Sequence, residues 1–333
     1  MSDDAFLTRL EMALARHTGR PAKVYDLQRL TGGANRTTMS FDASDADATG
    51  PRRQFILQLG TQTFDPVAGI VPQITPAEQA RLMIAAERIG APAPRVAAIL
   101  EPADGLGEGY ITERVAGETL GSRIVRDERF AAARRVMARQ CGEILAAIHR
   151  IDLADAPFLM RQDAAEHVAA HRRIVDNYNF RLPALELALR WAAENVPRNQ
   201  RHTVLHGDFR TGNMIVGEEG IRCVLDWELA QTGDPMQDLG WLCIRTWRFG
   251  GAGPVGGFGS REDLFAAYEK ASGHPVDPGH VRFWEAFGNV KWAVDCLLLG
   301  TRGVGEVGIE RSAIGRRIEE PLWDFFNLIE GRE

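Results

Sequence analysis

Residues 205–213 read Leu-His-Gly-Asp-Phe-Arg-Thr-Gly-Asn, and residues 223–228 read Cys-Val-Leu-Asp-Trp-Glu. Apolar Val204-Leu205 leads into a polar loop that holds Asp208 and, five residues on, Asn213. Apolar residues resume at Met214-Ile215-Val216. Gly217-Glu218-Glu219-Gly220 is a turn sequence between that run and Cys223-Val224-Leu225, so the stretch predicts a β-hairpin. The hairpin delivers a second acid, Asp226, at the end of its second strand. Asp and Asn also favour turns because they bond their own backbone. A lone Asp208–Asn213 loop would therefore assign no chemistry. The second aspartate, placed after a strand, makes an ordinary turn the weaker reading.

On the N-terminal side of this island the chain is strand-rich. Phe6, Leu7, Leu10, Ala13 and Leu14 recur at helical spacing and predict an opening helix that ends near Gly19. Strands are expected around Val24–Leu27, Thr37–Phe41, Gln54–Leu59, Val96–Leu100 and Tyr110–Arg114. A glycine turn, Thr31-Gly32-Gly33, separates the first two. Thr75-Pro76-Ala77-Glu78 is a capping box with proline at the first helical position, so a helix starts there. Pro92 and Pro94 are expected to stop it. Beyond Val115 the pattern is mainly helical, with long helices over 130–148 and 185–193 and more from Arg261 to the end. The glycine-dense stretch 248–260 reads as a mobile loop, either a lid over the acceptor or simply disordered. The order, a β-rich part and then a helical part holding a small β island, predicts an α+β fold of two lobes. The lobes are assigned to residues 1–115 and 116–333.

Bulk properties exclude several classes. The chain has 333 residues, 45% hydrophobic and 25% charged, with a net charge of −6. A nucleic-acid binder would carry a basic excess, so that partner is not expected. No apolar run reaches membrane-span length. The N-terminus lacks a signal-peptide pattern, and the cytoplasm is the expected location. Cys141, Cys223, Cys243 and Cys296 have no paired spacing, which argues against a zinc site or a disulfide framework. Oligomeric state is not legible.

His206-Gly207-Asp208-Phe209-Arg210-Thr211-Gly212-Asn213 fits H-x-D-x-x-x-x-N, the pattern of a protein-kinase catalytic loop. In that pattern the aspartate orients the acceptor hydroxyl and takes its proton, and the asparagine holds a magnesium ion on the phosphates. Asp226 stands where the second metal ligand is required. Asp208 and Asn213 are thus the candidate catalytic residues, and Asn213 and Asp226 the candidate metal ligands.

Leu205-His206-Gly207-Asp208 and Val224-Leu225-Asp226-Trp227-Glu228 resemble the two signature motifs of the aminoglycoside phosphotransferase and choline kinase-like superfamily. Asp226-Trp227-Glu228-Leu229, Gly233-Asp234-Pro235 and Asp238-Leu239 are similar to one branch, which includes the kinase domain fused to some acyl-CoA dehydrogenases. The resemblance implies a protein-kinase-like fold with ATP and Mg²⁺ between the lobes and a small hydroxylated acceptor. It also implies that Gly32 and Gly33 approach the phosphates, and that Glu113 to Val115, within Thr112-Glu113-Arg114-Val115-Ala116-Gly117, lie along the adenine. Asp234 and Asp238 either brace the loop or line the acceptor site, with bracing preferred. His206 and His149 read as structural.

The pattern breaks at one point. The position facing the phosphates on the third strand is Gln58, where the superfamily carries Lys or Arg. The chain has only three lysines, Lys23, Lys270 and Lys291, and none is near it. Gln79 is the helix residue that would face Gln58. Two readings follow: an active small-molecule kinase, or a non-catalytic nucleotide binder on the same scaffold. The acceptor is not legible either. Glu285 and Asp295 are candidate acids for a polycation such as an aminoglycoside. Trp241, Trp247, Phe283, Trp284 and Trp292 suit an apolar substrate or plain core, and the branch resemblance favours a metabolite.

Overall fold

The computed structural model describes residues 3–30, 36–45, 51–60, 69–301 and 313–332. Helix α1 (Asp3–Thr18) opens the chain and is ended by Gly19, whose φ of 69° suits a residue without a Cβ. Strands β1 (Ala22–Arg29), β2 (Arg36–Asp45) and β3 (Arg53–Gly60) follow, then helix α2 (Pro76–Arg88) and strands β4 (Val96–Ile99) and β5 (Gly109–Glu113). The strands form one antiparallel sheet in the order β1-β2-β3-β5-β4. The helical part holds α3 (Gly121–Arg126), α4 (Ala131–Ile148), α5 (Ala164–Asn177) and α6 (Pro183–Glu194). The β island follows: β6 (Thr203–Leu205), the hairpin β7 (Met214–Gly217) and β8 (Gly220–Val224), and β9 (Gln231–Gly233), which pairs with β6. Helices α7 (Met236–Cys243), α8 (Arg261–Ser272), α9 (Pro278–Thr301) and α10 (Glu319–Glu330) complete the lobe. The architecture is α+β, a β-rich lobe on a mainly helical lobe.

Strand alternation gives the sheet two apolar faces. Phe55 and Leu57 of β3 and Ile111 of β5 point to a small cluster completed by Leu10, Ala13 and Leu14 of α1. The opposite face carries Tyr110, which joins the main core. Helix α2 belongs to that main core as well, through Ala80, Leu82, Met83, Ala85 and Ala86. The predicted capping box is present: Glu78 N–H donates to Thr75 Oγ1 at 3.3 Å, and Thr75 N–H donates to Glu78 Oε2 at 2.7 Å. The helix stops before the prolines. Gly90, with φ of 81°, bonds back to Glu87 and turns the chain.

Helix α3 and three further elements were not expected from the pattern, and for the latter three the reason is plain. Helix α7 is buried on every side, so it shows no apolar–polar period. Helix α5 carries His167 and His171 on its buried face, which hides its stripe. Strand β9 is the short polar run Gln-Thr-Gly. The glycine-dense stretch also differs from its reading. It folds back on itself through bridges Gly253–Gly257 and Val255–Gly259, with Val255 fully buried. A Cβ on Gly251 would stand 2.2 Å from the Gly257 carbonyl oxygen. These glycines serve close packing rather than freedom.

Candidate functional site

The loop after β6 is set from below by one buried carboxylate. Asp238, in the first turn of α7, accepts from the His206 N–H at 2.8 Å and the Gly207 N–H at 2.9 Å. His149, capping α4, reaches the same carboxylate at 3.2 Å and meets the Tyr268 hydroxyl at 2.9 Å. Burial would raise the Asp238 carboxyl. Its bonds to His149 and to the loop backbone outweigh that and hold it below the usual carboxylate value. Asp238 thus braces the loop. Gly207 has φ of 81°, and a Cβ there would stand 2.1 Å from the Leu229 carbonyl oxygen, so this position requires glycine.

His206 ties the loop to the following hairpin. Its Nε2 lies 3.0 Å from the Leu225 carbonyl, which only accepts, so Nε2 carries the proton. Nδ1 is then bare and accepts from the Asp208 N–H at 3.2 Å. Both bonds require the neutral ring, and burial lowers its pKa accordingly.

Asp208 is nearly buried, 8% exposed, and its two side-chain oxygens have different neighbours. Trp241 Nε1 donates to Oδ1 at 2.8 Å. Asn213 Nδ2 donates to Oδ2 at 2.6 Å. Arg210 Nε sits 3.1 and 3.2 Å from the two oxygens, with its guanidinium 4.5 Å from the centre of the Trp247 ring. These three donors fix the carboxylate in orientation.

Asp226 is placed by its neighbour. The Leu225 N–H donates to the Asn213 carbonyl at 2.8 Å, while the Leu225 carbonyl holds His206. Asp226 itself is exposed and left-handed, with φ of 64° and ψ of 63°. That conformation costs a non-glycine residue on the order of 1 kcal/mol, and such outliers gather at functional sites. Buried Trp227, which donates to Val224 O at 3.0 Å, packs its ring against His206 and wedges the turn. Helix α2 is fastened to the same turn through the Ile74 N–H and Glu228 O at 3.1 Å.

The donor set suits a hard cation. Asn213 uses its amide nitrogen on Asp208, leaving its oxygen as the other arm of the fork, and Asp226 adds a carboxylate. Among the described residues there is no group of three or more His, Cys, Asp or Glu able to hold a metal. Magnesium does not need one, since it keeps waters and substrate phosphates as ligands.

On the nucleotide side, Gln58 points away from the α1 face, as Ile56 does. Its Oε1 accepts from the Tyr110 hydroxyl, its partner across β3 and β5. Gln79 is fully buried and donates to Ile74 O at 3.1 Å. The Glu113 carboxylate pairs with Arg53, and the Glu113 N–H is taken by Arg95 O at 2.9 Å. Val115 lies just past the end of β5, and among the described residues no backbone acceptor takes its N–H. Gly32 and Gly33 lie outside the described residues. The structure thus brings Asp208, Asn213 and Asp226 together around His206 and Leu225, and sets Gln58 on the sheet face toward the main core. Sequence reasoning named Trp241 as a substrate-wall or core residue and counted Lys291 among the lysines, but it placed neither of them, nor Arg210, at Asp208. Arg210 stood inside the quoted motif, but at one of its unspecified positions, where a charge has no signature of its own.

The profile described as "Phosphotransferase enzyme family" matches residues 40–283. The chain belongs to this phosphotransferase family. The human protein named acyl-CoA dehydrogenase family member 11 is 26% identical over 344 residues, covering 92% of this chain and 41% of that protein. Mouse acyl-CoA dehydrogenase family member 10 is 43% identical over 65 residues, 19% of this chain and 6% of that protein. The chain spans less than half the length of these relatives. Among solved structures, a Ralstonia eutropha protein named for the aminoglycoside phosphotransferases superposes with a TM-score of 0.72 at 19% identity, covering 96% of this chain and 97% of that one. A choline/ethanolamine kinase family protein of Mesorhizobium loti gives 0.60 at 19% identity, with 98% and 99% covered. These likenesses show the fold, the kinase-like arrangement of two lobes expected for the phosphotransferase family.

Proposed function

We propose that the chain transfers the γ-phosphoryl group of ATP to a hydroxyl of a small metabolite. The observation that carries this is the buried Asp208 carboxylate, fixed by Trp241 on one oxygen and Asn213 on the other, with Asp226 set beside the loop by Leu225. Asp208 orients the acceptor hydroxyl and takes its proton as the oxygen attacks the γ-phosphorus. The new O–P bond forms as the bond to the bridging oxygen of ADP breaks, and the leaving electron pair stays on ADP. Asn213 and Asp226 would hold magnesium, which supplies neutralisation of the phosphate charge. The nucleotide lies between lobes 1–115 and 116–333, with its adenine along Glu113 and Val115 and its phosphates toward Gly32, Gly33 and Gln58. Four free, buried cysteines agree with a reducing cytoplasm. Among the described residues no helix is long and apolar enough to cross a membrane.

Calorimetry of wild type with ATP, with and without Mg²⁺, tests the reading. Wild type binds Mg·ATP, and Asp226→Ala loses the metal-dependent part. Asp208→Asn keeps nucleotide affinity and lowers turnover by roughly 10³. Absence of nucleotide binding at millimolar levels sinks the proposal.

One observation favours a second reading, a nucleotide-binding regulatory protein without turnover. Gln58 offers a neutral amide, bonded to Tyr110, where a cation would grip the phosphates. Mg·ATP binding with no ADP formed by any acceptor or by water would select it.

A further inference from the structure

The two oxygens of Asp208 divide its surroundings into two sides. Oδ2 faces Asn213 and the metal ligands, and Oδ1 faces Trp241 and the α7–α9 wall. That wall is an aromatic patch separate from the main core: Trp241 and Trp247 lie 5.3 Å apart between ring centres, and Trp247 and Trp292 lie 4.9 Å apart. Trp241 and Trp247 are themselves buried, 5% and 6% exposed, and the open faces of such rings attract quaternary or protonated amines. Here the ring faces are already taken by cations of the chain. Lys291 Nζ stands 4.3 Å from the Trp241 ring centre and 3.3 Å from Gly207 O. The Arg210 guanidinium lies 4.5 Å from the Trp247 ring centre.

The acids that would attract a cationic acceptor are engaged. Glu285 is bridged by Arg261 at 2.8 Å and by Arg248 at 3.2 Å. Asp234 accepts from Trp284 Nε1 at 2.8 Å and from the Met236 N–H at 3.1 Å. Asp238 is buried beneath the loop. Asp295, a turn along α9 from Lys291, has a partner of its own. A cation arriving at Oδ1 would meet Lys291, bonded at the adjoining Gly207, and Arg210, bonded to Asp208 itself, in a half-buried setting where like charges repel strongly.

Resting on the kinase reading above, we propose that the acceptor is a hydroxylated anion, bearing a carboxylate or a phosphate, and that Lys291 with Arg210 receives its charge on the Trp241–Trp247 wall. The hydroxyl then reaches Asp208 from the Oδ1 side. Its proton passes to the carboxylate while the oxygen takes the γ-phosphoryl group and ADP leaves.

The test uses the full chain with Mg·ATP and follows ADP release. Acceptors are supplied in matched sets that share a hydroxyl: a hydroxycarboxylate with its amide and its trimethylammonium counterpart, and a sugar phosphate with the free sugar. The anionic member of at least one set should exceed its neutral and cationic counterparts in kcat/KM by tenfold or more. The set that responds tells carboxylate from phosphate. Lys291→Met should raise KM for that anion by about tenfold with kcat less affected, and Lys291→Arg should restore it. Mg·ATP binding by each variant is the control for an intact site. Preference for neutral or cationic members, or no transfer to any anion while Mg·ATP binds, overturns the proposal. Failure of wild type to bind Mg·ATP instead marks failure of the kinase reading beneath it.

Discussion

At the scale of single residues, the proposed kinase site sets the full Asp208, Asn213 and Asp226 group beside a neutral Gln58. Asp208, Asn213 and Asp226 were legible because strand ends and spacing fix them, and a loop pattern of eight residues leaves few alternatives. Gln58 was legible as a departure, while its bond to Tyr110 was not, because cross-strand partners depend on register. That bond keeps a neutral amide on the sheet face that looks toward the main core. Gln58→Lys should tighten Mg·ATP binding by about tenfold, since a bond to a charged donor is worth roughly 1.5–3 kcal/mol and Tyr110 loses an acceptor in exchange. Calorimetry of the variant reads this. Unchanged or weaker affinity would mean that position 58 does not meet the phosphates. The placement of Trp241 and Lys291 was not legible because only the packing of α7 against α9 brings them to Asp208 and Gly207.

At the scale of elements, α2 matters most for its modest length. Its cap is exposed, half of its buried face is alanine, and the Ile74 N–H just ahead of it fastens it to the turn after Asp226. Thr75→Ala removes the acceptor for the Glu78 N–H and should lower stability by about 1 kcal/mol. A urea titration should show a lower midpoint with an unchanged slope, and a midpoint equal to wild type would remove the cap from the account. The capping box could be read from four residues because it is a local device. The end of the same helix was misread by a few residues because Gly90, not Pro92, turns the chain. Helix α7 was missed for the opposite reason: a helix buried on all sides has no period to detect.

At the scale of the whole molecule, buried histidines couple the fold to pH. His171 is fully buried beside Phe287, and burial lowers its pKa from 6.5 to about 4. His167 is lowered in the same direction, by burial first and then by His171. Unfolded histidine takes up a proton below pH 6.5, and folded His171 resists doing so until about pH 4. The unfolded state therefore binds more protons in that window, and stability falls as pH falls through it. His171 alone should remove about 2 kcal/mol between pH 7 and pH 5. Urea midpoints at the two values test this, and His171→Asn should flatten the slope. An equal slope in the variant would assign the loss to other groups. The two-lobed order of elements was visible in the sequence, whereas the division of the cores was not. Because α2 packs into the larger cluster while α1 and the outer sheet face share the smaller one, the seam of cooperative opening runs through the sheet itself. A sub-global fluctuation can release α1 and the outer strands as one unit, with amide exchange in α2 keeping pace with α4 and α9. The turn that carries Asp226 then keeps its support while the adjacent sheet breathes.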